Sequence, residues 1–396
     1  MKGKIFGIGL LAATVGAILV SPAFRGNAAI PPVVPPQVQT QGKAKVEVVF
    51  VLDTTGSMAG LIDAAKEKIW SIASSMSQAT PTPVISMGLV AYRDRGDAYV
   101  TQTVDLSTDL DSMYAALMDF AAEGGGDGPE SVNQALHDAV HSMSWSSDPE
   151  SYKVIFLVGD APPHMDYQND VQYPEIVAAA AAKGIVVNTI QCGGIVETTP
   201  HWQRIAALGG GRYFQVEQAG NAVLIETPFD QRIAALAAQL DATRIFYGTD
   251  AQREAMQGKV AATAKLTERA STAARAMRGV FNASASGAVN LAGEQDLVHD
   301  VVSGRVELEA LPDAELPPAL ATLSKDEQRR LVEETAAQRE ALQQEINALA
   351  EQRDAYIAER LEELGGEDDS LDQLIYDAVR TQAAPKGLRY DSGPKF

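Results

Sequence analysis

Cysteine is almost absent: Cys192 is the only one among 396 residues. A single thiol excludes an intramolecular disulfide. Its place at the end of the apolar run GIVVNTIQ suits a small buried hydrophobe. Basic residues are scarce as well, with 32 Lys and Arg against 52 Asp and Glu, for a net charge of -20. A chain this acidic repels phosphate backbones and anionic lipid heads, which argues against nucleic-acid binding. Beyond the N-terminus no apolar run is long enough to cross a bilayer, so the mature chain is expected to have no integral membrane domain. Internal repeats are missing too.

At the N-terminus, Lys2 and Lys4 precede an apolar stretch from Ile5 to Val20, and small residues lead to Asn27-Ala28-Ala29. This is the pattern of an export signal over residues 1–29, cleaved near Ala28 or Ala29, with an uncleaved anchor as the alternative. The expected location is periplasmic or secreted, in the cell envelope. Residues 30–44 follow as a linker, Pro- and Gln-rich across IPPVVPPQVQTQG.

From residue 45 to about 220, apolar strand candidates (46–52, 84–91, 98–104, 152–158, 185–191 and 212–216) alternate with helical stretches (59–78, 109–122, 130–143, 171–183 and 201–208). Several strands are nearly continuous Val, Ile and Leu. That composition predicts burial on both faces, hence an α/β fold with a doubly wound, mostly parallel sheet. The remaining residues, 221–396, read as a mainly α-helical region. One or two helices are expected over 229–278, less regular chain over 282–322, and a long helix from Ser324 to about Leu364, stopping at Gly365-Gly366. Ser324 and Glu327 form the spacing of a capping box. Leu342, Leu349 and Tyr356 repeat at seven, but Arg339, Arg353 and Arg360 fall on the partner heptad positions. A helical hairpin packed on itself or on the first domain therefore fits better than a long parallel coiled coil.

The stretch VEVVFVLDTTGSM delivers Asp53 at a strand end, with hydroxyls at Thr55 and Ser57. In parallel sheets, ligands sit at the carboxyl ends of strands. Two further loops fall at such positions: EGGGDGPESVNQAL (123–136) and VIFLVGDAPPH (154–164), the latter delivering Asp160. The set offers carboxylates and hydroxyls without His or Cys ligands, which suits Mg²⁺, or alternatively Ca²⁺ or Mn²⁺, over zinc or copper. Oxygens converging in this way repel one another unless a cation compensates.

The motifs DTTGS, GGGDGPE and VGDAPPH resemble the three loops of the von Willebrand factor A domain and its metal-ion-dependent adhesion site. The variant is most similar to that of integrin β subunits and hemicentin-like proteins, in a bacterial exported chain. The resemblance covers residues 45 to about 218. It implies that Thr55 and Ser57 bind the cation directly, that Glu130 supplies the second-loop ligand, and that Asp53 and Asp160 act largely through water and hydrogen bonds to the hydroxyls. Asp127 in that pattern borders a second cation site. Glu130 is expected to open the following helix, with Pro129 fixing its backbone. His164 is expected to serve loop structure. The common A domain has Thr where this chain has Glu130. A carboxylate there should strengthen resting metal binding and make the cation less electrophilic, which puts its affinity for a partner's carboxylate in question.

Two other motifs are read blandly. HDAVH (137–141) has the i, i+4 spacing of a zinc helix but Asp138 where a zinc protease needs Glu, so an exposed helix face is expected. The tripeptide Arg95-Gly96-Asp97 lies between two strands. No hydrolase constellation or phosphate loop is present, so the chain is expected not to be an enzyme. The function expected is recognition of a protein partner, offering a carboxylate to the bound metal. An envelope scaffold acting through the C-terminal helices is the runner-up, and a Mg²⁺-assisted enzyme comes third.

Overall fold

The computed structural model describes residues 44–126, 128–218, 225–364 and 371–395. The expected signal, nearly all of the linker, Asp127 and the Gly365-Gly366 stop lie outside the described residues.

Six strands form one sheet: β1 (Lys45–Asp53), β2 (Val84–Tyr92), β3 (Thr101–Ser107), β4 (Tyr152–Gly159), β5 (Ile185–Cys192) and β6 (Gly210–Val216), in the order β3-β2-β1-β4-β5-β6. All neighbours run parallel except β2 and β3. β3 starts three residues later than its composition suggests, and it is the exposed edge where apolar patterning is weakest. The helices between the strands are α1 (Ala59–Ser77), α2 (Leu110–Leu117), α3 (Val132–His141), α4 (Tyr173–Ala182) and α5 (Thr198–Leu208). Strand order reverses between β1 and β4, where a doubly wound sheet opens a crevice at its carboxyl edge.

The apolar runs are two-sided because alternate residues serve different cores. In β1, Val46, Val48, Phe50 and Leu52 join one cluster, which includes Trp70 and Met76 of α1. Val49 and Val51 join the other, with Leu136 of α3 and Trp202 of α5. Cys192 is fully buried among these residues, as its sequence context suggests.

The C-terminal region is helical, built from α6 (Asp230–Asp241), α7 (Asp250–Arg269), α8 (Thr272–Ala283), α9 (Ala288–Ala292), α10 (Leu297–Val302), α11 (Pro318–Ala321), α12 (Lys325–Leu364) and α13 (Leu371–Ala383). Residues 229–278 thus hold three helices rather than one or two. Thr249 and Gln252 form a capping box that starts α7, and Ser271 caps α8 by accepting from the Ala274 amide. These are local signals that Ala-rich composition hides. The capping box at Ser324 and Glu327 is present. α12 packs against α6, α8 and α10, while α13 packs against α1, so the expected hairpin gives way to two separate partnerships. The heptad arginines explain why. Arg339 forms a buried pair with Asp296 (2.8 Å) and Arg353 one with Asp230 (2.8 Å), each reaching a neighbouring helix of the same chain.

The described residues from Ala44 onward form a single compact unit. Lys68 of α1 pairs with Asp372 of α13 at 2.7 Å, both buried. Trp70 of α1 meets Phe281 of α8 at 5.8 Å between ring centroids. The chain's last stretch returns to the sheet domain. Thr80 and Arg389 exchange backbone hydrogen bonds of 2.8 and 3.0 Å, and Leu388 and Tyr390 join the main core.

At the centre of this seam, Arg278 of α8 grips two carboxylates. Its guanidinium donates to Asp111 of α2 at 2.6 and 2.7 Å and to Asp241 of α6 at 2.7 and 3.0 Å. Lys259 of α7 adds contacts to Asp109 (2.6 Å) and Asp111 (3.3 Å). Burial alone would raise the Asp111 carboxyl, but the Arg278 and Lys259 charges outweigh it and hold the group well below the usual carboxylate range. A depressed folded value gives stability that is complete above about pH 4 and is lost as pH falls through the folded value. Replacing Arg278→Ala should cost about 3–5 kcal/mol at pH 7, because it leaves fully buried Asp111 short of its main partner. Chemical denaturation of both proteins from pH 7 to pH 3 should show the gap narrowing as Asp111 takes up a proton. A gap that is constant or widens toward acid would refute this role.

Candidate metal centre

β1 ends at the switch point, and Asp53 is completely buried there. Its Oδ1 accepts from the Thr55 amide at 2.9 Å and the Thr55 hydroxyl at 2.6 Å. That second bond takes the hydroxyl proton, so the Thr55 oxygen keeps its lone pairs for another partner. The Ser57 hydroxyl lies 3.3 Å from it. Thr54 is tied back to the Tyr92 carbonyl through both its amide and its hydroxyl, each at 2.9 Å, and this fixes the turn. A methyl group on Gly159 would stand 2.3 Å from the Tyr92 hydroxyl and 3.1 Å from Asp53 Oδ2, so only glycine lets β4 approach here.

The second loop is moulded around the first. Gly56 donates to the Gly124 carbonyl at 3.2 Å and Glu123 to the Thr54 carbonyl at 3.1 Å. Gly125 has a φ of +82° and separates Thr55 from Glu130: a Cβ there would lie 3.3 Å from Thr55 Cβ and 3.5 Å from Glu130 Oε1. Thr55 and Glu130 therefore flank one gap. Contrary to expectation, Glu130 does not open α3, which begins at Val132. It forms a parallel bridge to Pro163 in the third loop, donating to the Pro162 carbonyl at 2.9 Å and accepting from the His164 amide at 3.0 Å. Pro129 leads into extended chain here rather than into a first helical turn.

The third loop brings Asp160, whose Oδ2 accepts from Gln218 at 2.7 Å. Gln218 also donates to the Ser57 carbonyl at 3.1 Å, so one amide spans the first and third loops. His164 has the expected loop role. Its ring stacks on Tyr167 at 3.9 Å, meets Asp166 at 2.8 Å and lies 3.3 Å from Asp94. Asp94 also accepts from Ser131 and Tyr167, both at 2.8 Å.

Sequence reasoning placed Asp53, Thr55, Ser57, Glu130 and Asp160 at this edge, and the fold brings them together. It missed Tyr92, Asp94, Asp97 and Gln218. The signal for two of these was present in YRDRGD, which puts carboxylates just beyond the end of β2, the neighbour of β1. The Arg-Gly-Asp letters are not displayed as a free tripeptide. Arg95 pairs with Asp170 and lies over Tyr167, while Asp97 accepts from the Asp94 and Gly125 amides at 3.2 and 3.1 Å. His137 and His141 lie against each other at 4.7 Å between ring centroids, with the rings tilted by 35°. Among the described residues no group of three or more His, Cys, Asp or Glu is arranged as a cage of those residue types alone.

Burial, with a smaller contribution from Asp160, pushes Asp53 up to about 7 despite the Thr55 hydrogen bonds. Burial and then the charges of Asp53, Asp94, Asp97 and Asp160 push Glu130 up to about 9. Asp53 Oδ2 and Glu130 Oε2 are both buried without a hydrogen-bond partner. Orphaned carboxyl oxygens beside two hydroxyls, with no nitrogen or sulfur ligand among the described residues, fit a hard divalent cation, which would bring both groups to the ionised form. Gly125→Ala should destabilise the fold by about 1–2 kcal/mol, the cost of a left-handed residue with a side chain, and should push Thr55 from Glu130. Thermal unfolding with and without Mg²⁺ should show a lower melting temperature and a reduced Mg²⁺-induced rise. An unchanged rise would mean that the gap beside Gly125 is not where the cation sits.

Residues 47–227 match the family model described as von Willebrand factor A domain. Over 114 residues the chain is 39% identical to von Willebrand factor A domain-containing protein 7 of Rattus norvegicus, covering 29% of this chain and 12% of that protein. It is 30% identical over 120 residues to alpha-protein kinase vwkA of Dictyostelium discoideum, covering 30% and 19% respectively. The chain spans a fifth or less of the length of the curated relatives it matches. Among solved structures, the SpRpn10 VWA domain aligns with 13% identity and a TM-score of 0.35, covering 45% of this chain and 91% of that one. Von Willebrand factor A domains generally bind metal at a metal-ion-dependent adhesion site and mediate protein interactions. The strand order, the three loops at the switch point and the family match agree: residues 47–227 of this chain are a von Willebrand factor A domain.

Proposed function

We propose that this protein is an exported recognition module that holds a divalent cation, Mg²⁺ first, and engages a protein partner through it. The observation that carries the reading is the pair of buried, unpartnered oxygens, Asp53 Oδ2 and Glu130 Oε2, beside the Thr55 and Ser57 hydroxyls. Thr55, Ser57 and Glu130 would hold the cation, with Asp53 and Asp160 orienting the donors. When bound, the cation supplies a positive charge that can accept a carboxylate from the partner. This chain's own residues set the strength of that attraction. Glu130 neutralises part of the charge, where a Thr would leave it intact.

Exposed apolar side chains on the same edge support recognition. Met165 and Val171 follow β4, and Ile195 and Val196 follow β5, exposed at 43%, 45%, 41% and 77%. Apolar groups rimming a polar centre are what a protein partner would cover. Among the described residues Ser57 has Thr55 as its hydroxyl neighbour and no histidine partner, so recognition is favoured over catalysis. The lysine-flanked segment Ile5–Val20 is the basis for export to the periplasm or beyond.

Glu130→Ala should raise the Mg²⁺ dissociation constant at least about tenfold, roughly 1.4 kcal/mol, and Asp127→Ala by clearly less. Isothermal titration of the three proteins reads this directly, and a larger loss in Asp127→Ala would mean the second loop binds in another register. Capture of envelope proteins by wild type and Asp53→Ala, with Mg²⁺ or EDTA, reads the second half. Partner capture that survives both treatments would move the binding surface to the C-terminal helices.

A further inference from the structure

The opposite edge of the sheet, where the strands begin, carries a second feature. A cleft of about 590 Å³ opens between the start of β4, the loop after α3 and the end of α4, and Lys386 from the returning C-terminal stretch forms one wall. Three lysines line it: Lys153, Lys183 and Lys386. Among the described residues none of the three has a carboxylate within ion-pair distance, although the chain carries a net charge of -20.

Lys153 is the unusual member. It is 6% exposed, and among the described residues its ammonium has no hydrogen-bond acceptor. Its ladder neighbour on β1 is Glu47, whose charge it feels. Glu47, however, turns both oxygens to the Ser146 amide, at 3.3 and 3.1 Å. Beside Lys153 the Ser151 hydroxyl is buried, lines the same cleft and has no partner. The other two ammoniums are tethered rather than neutralised: Lys183 donates to the Val140 carbonyl at 2.7 Å and Lys386 to the Pro149 carbonyl at 2.5 Å. Each retains donors for a ligand. A buried hydroxyl left without a partner is costly unless something in the cleft meets it, and the Lys153 side chain brings a positive charge to the same wall.

We propose that this cleft binds a phosphoryl group, held by the Lys153, Lys183 and Lys386 ammoniums and the Ser151 hydroxyl. Three point charges with rotatable donors suit a compact dianion better than a single carboxylate. The side chain of Trp145 forms part of the wall and would lie against whatever the phosphoryl group is attached to. The site is about 23 Å along β4 from Asp160, taking seven extended residues, so it is separate from the cation centre. It depends on the C-terminal stretch for Lys386, which gives the return of that stretch to the sheet domain a binding role.

Isothermal titration of the full chain at low chloride, with inorganic phosphate and with phenyl phosphate as probes, tests the proposal. One saturable site is expected for wild type. Lys183→Ser/Lys386→Ser should weaken it at least tenfold, and Ser147→Glu, which puts a negative charge on an exposed lining position, should weaken it comparably. Both variants should keep the wild-type melting temperature to within a few degrees and the wild-type Mg²⁺ titration. Tighter binding of phenyl phosphate would assign the site to phosphomonoesters, and equal binding to free phosphate. The proposal fails if wild type shows no saturable heat with either probe, or if both variants bind as tightly as wild type.

Discussion

Negative charge buried at the end of the central strand is the constraint around which the sheet domain is built. Asp53 is out of water, Glu130 and Asp160 face it from two other loops, and Asp94 and Asp97 add their fields. Such a group of carboxylates is unfavourable on its own, and the surrounding chain spends much of its hydrogen-bonding capacity holding it in place. Thr54 is pinned to the Tyr92 carbonyl, Glu130 to the third loop, and Asp160 to Gln218. The glycines have the same purpose. Gly159 makes room for Asp53, and Gly125 keeps Thr55 and Glu130 on one gap. The loops are rigid because the charge they hold tolerates little misplacement.

The second organising feature is the seam joining sheet domain to helices. Its core is apolar, with Trp70, Phe281, Leu371 and Ile375 in one continuous cluster. Its specificity comes from buried ion pairs centred on Arg278 and on Lys68 with Asp372. Apolar surfaces can slide past each other, whereas a guanidinium held by two carboxylates has one register. Arg339 and Arg353 of α12 follow the same rule, the one directed to Asp296 at the start of α10 and the other to Asp230 at the start of α6.

Much of this was legible in the sequence. β1, β2, β4 and β5 are near-continuous apolar runs, and the three motifs sit where those runs stop, so both the fold and five of the site residues could be read. The third strand was displaced because an edge strand is half exposed and its apolar signal is weak. Glu130 was placed in a helix because Pro129 is compatible with either a first helical turn or an extended bridge. What decides between them is Pro163, distant in sequence. Gln218 was invisible for the same reason: nothing local marks a glutamine that will reach two loops. The break between α6 and α7 was obscured by uniform composition, and the destinations of Arg339 and Arg353 could not be read from a heptad that only records spacing.

The return of the last residues to the start of the fold has a consequence for biogenesis. Residues 371–390 cover α1 and the turn before β2, burying Met76 and Ala79 beneath Leu388 and Tyr390. While the chain is being made, the sheet can assemble but this flank of α1 stays bare until some three hundred more residues have emerged. Contacts closed over so long a separation form late and slowly, and the uncovered apolar face is the surface on which partly made chains would stick to one another. A nascent chain therefore keeps an apolar face uncovered for longer than its well-formed sheet would suggest.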